Sequence, residues 1–169
     1  MRAAEFFRAV TIDKSDLLDR ILALFERENV RYCVIDGLAV NAYVEPAVTL
    51  DMDVVIAPDQ VDRIAELVAK EFDVSEFPHS LNVTDPDSKL RVQIQKDPRY
   101  NDFIARAEIR DVLGTPMQVA AVEDVLQGKI WAASDPERRD SKRKKDIADI
   151  ARITESFPNL RGRVPAQLL

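Results

Sequence analysis

The sequence predicts an α/β (α+β) domain, a small mixed β-sheet flanked by helices, and three stretches carry that prediction. Tyr32–Ile35 is an apolar run that stops at Asp36-Gly37. Val48–Ile56 has two faces, with Leu50, Met52, Val54 and Ile56 on one and Asp51 and Asp53 on the other, because side chains alternate along a strand. Lys89–Gln95 alternates as cleanly, with Leu90, Val92 and Ile94 inward and Arg91, Gln93 and Gln95 outward. Helical patterns lie between and after these strands, so helices cover the sheet.

In chain order, residues 14–28 predict an amphipathic helix with Leu17, Leu18, Ile21, Leu22, Leu24 and Phe25 on its apolar side and Ser15 or Asp13 as cap. The strand at 31–35 is followed by a short helix over 38–44, ahead of Pro46. After the aspartate-bearing strand comes a helix from about Pro58 to Glu71. Residues 73–84 are ambiguous and predict a strand somewhere within them. Asp85-Pro-Asp-Ser88 reads as a turn and 107–119 as a hairpin around Leu113-Gly-Thr. Two helices follow, near 121–133 and 138–156, the second burying Ile147, Ile150, Ala151 and Ile153. Pro158 and the tail from Arg161 to Pro165 end ordered helix. With no internal repeat or linker, one domain over 1–169 is expected, its core spanning about 30–153.

Composition narrows the classes. A net charge of −6 argues against nonspecific coating of nucleic acid, while Arg138-Arg139 and Lys142–Lys145 leave a local basic cluster. No apolar run reaches membrane-spanning length, Met1–Arg8 carries no signal-peptide core, and the single Cys33 lies within a strand. A cytoplasmic, disulfide-free protein without a membrane partner is therefore expected. The one histidine, His79, falls in a loop, so serine or cysteine hydrolase chemistry and zinc-ligand spacing both lack support.

Asp51 and Asp53 are the candidate site. Leu50–Ala57 is otherwise almost wholly apolar, which places the strand centrally, where two solvated carboxylates are unusual. Side by side they repel unless a cation sits between them, and Mg²⁺ suits such oxygen ligands together with phosphate oxygens. Gly37, at a helix start, offers backbone N–H groups to a phosphate. The plainer alternatives are a solvated edge strand for the aspartates, a tight turn for Gly37 and a helix cap for Asp36. Lys129 sits in an apolar helix, as a snorkelling lysine or as a partner for an acid or a phosphate. In the last helix Asp146 falls between Ile150 and Ile153 in projection while Asp149 points further out. The i,i+4 pairs Lys142–Asp146 and Lys145–Asp149 would satisfy both acids, in the weaker orientation.

The ordered set Ile35-Asp-Gly-Leu-Ala39, Thr49-Leu-Asp51-Met-Asp53, Val122–Leu126 with Lys129, and Lys144-Lys-Asp146-Ile-Ala-Asp149-Ile150 resembles the AbiEii-type nucleotidyltransferases of the polymerase-β-like superfamily. The resemblance runs from about residue 30 to 153. It implies Mg²⁺-dependent transfer of a nucleotide from an NTP to an acceptor hydroxyl on RNA, tRNA included, or on protein. Asp51 and Asp53 would be catalytic metal ligands, Gly37 would lie near the phosphates, Lys129 would bind nucleotide phosphate, and Asp146 would be an acid needed for activity. Many such proteins are toxins, which implies an antitoxin partner. Two departures stand out. Asp36-Gly37 replaces a glycine pair, and the strand that commonly carries a third carboxylate presents Gln93, with Asp97 just beyond it. An amide keeps an oxygen ligand and loses charge and base, so a catalytically impaired protein that binds nucleotide or a protein partner without turnover is the alternative.

Overall fold

The apolar runs and alternating stretches fold as α1 (Leu17–Arg27), β1 (Tyr32–Ile35), α2 (Asp36–Val40), β2 (Asp51–Ile56), α3 (Val61–Ala69), β3 (Asp73–Phe77), β4 (Ser80–Thr84), β5 (Arg91–Gln95), α4 (Phe103–Arg106), β6 (Glu108–Val112), β7 (Thr115–Val119), α5 (Val122–Ser134) and α6 (Asp140–Ser156). This is a computed structural model that describes Glu5 and residues 16–169. Among the described residues seven strands make one mixed sheet in the order β3-β4-β5-β2-β1-β7-β6, the predicted small mixed sheet flanked by helices.

β2 is the middle strand. It runs antiparallel to β1, with Ile35 opposite Asp53, and parallel to β5, with Asp51 opposite Arg91 and Asp53 opposite Gln93. Met52, Val54, Val55 and Ile56 are buried, so both faces of the strand are covered beyond the aspartates, as a central strand requires. Leu50 departs from the predicted apolar face: it precedes the strand and is 40% exposed.

The ambiguous 73–84 stretch is the hairpin β3–β4 with His79 exposed in its turn. Its weak signal has a physical cause, since β3 is an edge strand whose side chains are mostly solvated. The 107–119 hairpin closes through Leu113 and Gly114, both at positive φ (51° and 86°), the primed geometry that matches strand twist. Asp85 and Asp87 form a turn in which the Asp87 N–H donates to the Asp85 carboxylate at 2.9 Å.

The helices differ from expectation mainly at their ends. α1 buries Leu17, Leu18, Ile21, Leu24 and Phe25. Asp16 precedes it without a side-chain cap, and Ser15 and Asp13 lie outside the described residues. α2 begins two residues early, at Asp36. α6 buries Asp146, Ile150, Ile153 and Thr154, an i, i+4, i+7, i+8 stripe, and Ala151 is exposed rather than part of it. Beyond Ser156 the chain forms short 3₁₀ turns over Pro158–Arg163 and Ala166–Leu168, burying Leu160, Val164 and Leu168. Proline stops the α-helix there, and these apolar side chains anchor the tail. Among the described residues no helix is long and apolar enough to cross a membrane.

The segment from α2 to β2 is clamped by buried Asn41. Its Nδ2 donates to the Ala47 carbonyl at 2.8 Å, and its Oδ1 accepts from the Ala47 N–H at 2.9 Å. Asn41→Ala leaves both backbone groups unpaired and is expected to lower the unfolding free energy by about 2 kcal/mol, read as a lower urea midpoint at unchanged slope. An unchanged midpoint would mean that water replaces the clamp without cost.

Candidate functional site

A cavity of about 230 Å³ opens beside the N-terminal end of β2. Asp51 and Asp53 from β2, Gln93 from β5, Gly37 from α2, Lys129 from α5 and Asp146 from α6 all line it. These six candidate site residues thus border one cavity, although more than a hundred positions separate Gly37 from Asp146.

The carboxylates dominate one wall. Asp51 accepts a hydrogen bond from Arg91 Nε at 3.0 Å, between neighbouring positions of paired strands. Burial, and then the nearby charges of Asp36 and Asp51, push the Asp53 carboxyl well above the usual carboxylate range, against weaker pulls from Lys129 and Arg91. Burial is the largest of these effects, and the neighbouring carboxylates add to it. Among the described residues no three His, Cys, Asp or Glu side chains group as a metal cluster. Two carboxylates and the amide of Gln93 make an all-oxygen donor set. That set fits Mg²⁺, which is commonly held by one or two carboxylates and completed by waters and substrate phosphates. Cations with demands for nitrogen or sulfur ligands do not fit it.

Lys129 organises the opposite side. Its side chain is only 5% exposed, and its Nζ meets Asp36, Asp146 at 3.3 Å and Asp149 at 2.9 Å. Burial alone would lower its pKa; Asp36 and Asp149 outweigh burial and raise it, so the amine stays charged. Asp146, 1% exposed, is also forked by Arg138, with contacts of 2.9 and 3.1 Å. The expected Lys142–Asp146 and Lys145–Asp149 pairs do not form. Asp146 is turned toward Lys129 and Arg138, and Asp149 bonds Lys129 and Arg152 at 2.8 Å. Asp149, on the flank of the buried stripe in helical projection, consequently turns inward rather than outward, because its side chain can lean back over the preceding turn.

Asp36 is the residue that the sequence reading undervalued. It has φ 60°, a left-handed conformation uncommon for a non-glycine side chain. It follows directly on Ile35, which faces Asp53 across the sheet. Burial works against ionisation of Asp36, but Lys129, Arg138 and the Gly37 N–H together hold its carboxyl below the usual range. Gly37 itself is not at positive φ, and a Cβ there would meet only Thr49 at 3.6 Å. The strained turn belongs to Asp36, and the Gly37 N–H faces that carboxylate.

Tyr100 completes the lining from a 3₁₀ turn that has no periodic signature. It packs so closely on α5 that a Cβ at Gly128 would lie 3.3 Å from its ring, and burial pushes its phenol up to about 12. Asp97 caps that turn, accepting from the Arg99 backbone at 3.0 Å and from its guanidinium, and so does not reach inward as a third carboxylate. Cys33 is wholly buried and its thiol is pushed up to about 12 by burial, which makes it inert packing.

No protein-family model and no curated protein matches the chain. Among solved structures it is similar to the lincosamide antibiotic adenylyltransferase LnuA with lincomycin bound, at TM-score 0.56 and 13% identity over 83% of this chain and 98% of that one. It is similar to the antibiotic-resistance factor ANT(2'')-Ia in solution, at TM-score 0.55 and 13% identity over 87% and 90%. A putative nucleotidyltransferase from Thermotoga maritima matches at TM-score 0.53 and 14% identity over 95% and 97%. The chain therefore shares its fold with these nucleotidyltransferase structures.

Proposed function

We propose that the protein is a Mg²⁺-dependent nucleotidyltransferase of the AbiEii type, moving a nucleotide from an NTP to an acceptor hydroxyl on RNA or protein. One observation carries this reading. Asp51 and Asp53 stand at the open end of the central strand, in a cavity whose other wall bears Lys142, Lys145 and Arg152. LnuA is an adenylyltransferase, and the fold it shares with this chain supports the same class of transfer. The sequence resemblance adds a toxin role, with an antitoxin as protein partner in the cytoplasm.

Asp51 and Asp53 would hold the metal, which when bound offsets charge on the triphosphate and its leaving group. Arg91, hydrogen-bonded to Asp51, orients that carboxylate and adds positive charge at the same edge. The acceptor oxygen forms a bond to the α-phosphorus as the bond to the bridging oxygen breaks. Pyrophosphate leaves with that electron pair, and the hydroxyl proton passes to solvent, because the position opposite Asp53 on β5 is Gln93 and not an acid. Gln93 supplies a neutral oxygen beside Asp53. That substitution, with Arg91 seated on Asp51, favours the second reading: nucleotide binding without turnover.

Transfer of label from each α-labelled NTP to RNA or protein distinguishes these readings. Asp51→Ala with Asp53→Ala is expected to reduce labelling by roughly a thousandfold, the loss of several kcal/mol of charge stabilisation. Equal labelling by both proteins contradicts the proposal, and saturable Mg·NTP binding with no transfer selects the second reading. Lys129 is predicted to matter first for stability. Lys129→Met removes the cation that Asp36, Asp146 and Asp149 share, leaving Asp146 only Arg138, and should cost about 3 kcal/mol in urea unfolding. A loss below about 0.5 kcal/mol, within the range of an ordinary surface substitution, would show that the cluster is not a buried ionic core.

A further inference from the structure

An ammonium group has three N–H donors and no acceptor. Lys129 is enclosed by three carboxylates: it hydrogen-bonds Asp36 and Asp146 and forms an ion pair with Asp149 at 2.9 Å. A phosphate would have to displace one of these carboxylates to reach the ammonium, so Lys129 is poorly placed for the role that the sequence resemblance assigns to it. Two other cations that border the same cavity have no ion-pair partner among the described residues. Lys142 and Lys145 lie three residues apart on α6 and so share a face. Their expected acids are engaged elsewhere, Asp146 by Lys129 and Arg138, Asp149 by Lys129 and Arg152. Neither lysine has an ion-pair partner among the described residues, whereas Lys144, on the same helix and outside the cavity, pairs with Asp140 at 3.0 Å.

We infer that Lys142 and Lys145 are the polyphosphate-binding residues of this cavity, and that Lys129 is a positioning residue locked into the fold. The inference rests on the nucleotide reading given above and names the groups that would hold the nucleotide's tail. The charge layout supports it. The carboxylates at the end of β2 repel a bare polyanion, and the α6 lysines attract one, so a chain of phosphates lying between them meets a metal at one end and ammonium groups at the other. Lysine suits the task as a flexible point charge, able to follow a phosphate that moves as pyrophosphate departs. The buried Lys129, fixed by three carboxylates, lacks that freedom.

Calorimetric titration with inorganic tripolyphosphate and Mg²⁺ tests this without assuming a base or an acceptor. Lys142→Gln with Lys145→Gln is expected to weaken binding by about tenfold per lysine, as for loss of a charge-assisted hydrogen bond, while Lys144→Gln leaves it unchanged. Both variants alter solvent-facing side chains, and matching urea midpoints confirm that they fold. Unchanged affinity in the double variant, an equal loss in Lys144→Gln, or no binding to the wild-type protein would each overturn the inference. Failure of the nucleotide reading looks different: tripolyphosphate binds and depends on the two lysines, yet no NTP is preferred over it and no label is transferred. Conversely, Mg·NTP binding that needs Asp51 and Asp53 but not the lysines leaves that reading standing and removes this inference.

Discussion

The buried ammonium of Lys129 is the constraint on which the site's geometry depends. It ties the start of α2, through Asp36, to α6, through Asp146 and Asp149, with α5 between them. Each carboxylate so close to the core needs a counter-charge, and one lysine supplies it to three, helped by Arg138 and Arg152. Because α2 follows directly on β1, and β1 is paired to β2, the same cluster sets where the helices stand relative to Asp51 and Asp53. The helical side of the cavity is thus fixed by ion pairs and its sheet side by strand register.

Charge is distributed unevenly between those two sides. The Lys129 cluster is closely balanced, whereas at the end of β2 two carboxylates share one hydrogen-bonded cation, Arg91, and burial followed by the neighbouring carboxylates holds the Asp53 carboxyl above its usual range. Such imbalance opposes folding, and together with the left-handed Asp36 it marks where local stability has been given up. A cation answers the imbalance directly. The proposed metal-dependent transfer would supply that cation.

Much of this was legible in the sequence, for reasons that separate period from reach. Asp51 and Asp53 stood out because a two-residue period puts them on one face of an apolar strand, and the central place of β2 follows from that same apolarity. Lys129 and Asp146 stood out as charges against apolar helical stripes. Asp149 was misplaced because projection describes Cα directions, while its side chain leans across to Lys129. The partners of Lys142 and Lys145 were misassigned for the same reason: local spacing offered i,i+4 acids, and tertiary contacts with Lys129, Arg138 and Arg152 took them. Asp36 was read as a possible cap and as a departure from a glycine pair, since nothing in sequence reports a positive φ, and Tyr100 was missed in a turn too short to show a period. β3 was obscure because a solvated edge strand lacks apolar alternation.

A crystal structure with Mg²⁺ and a non-hydrolysable NTP analogue tests the central claim most directly. The account predicts a metal between Asp51 and Asp53, coordinated also by phosphate oxygens, with Lys129 still held by its three carboxylates. A nucleotide bound away from β2, or a metal that leaves both aspartates untouched, would contradict it.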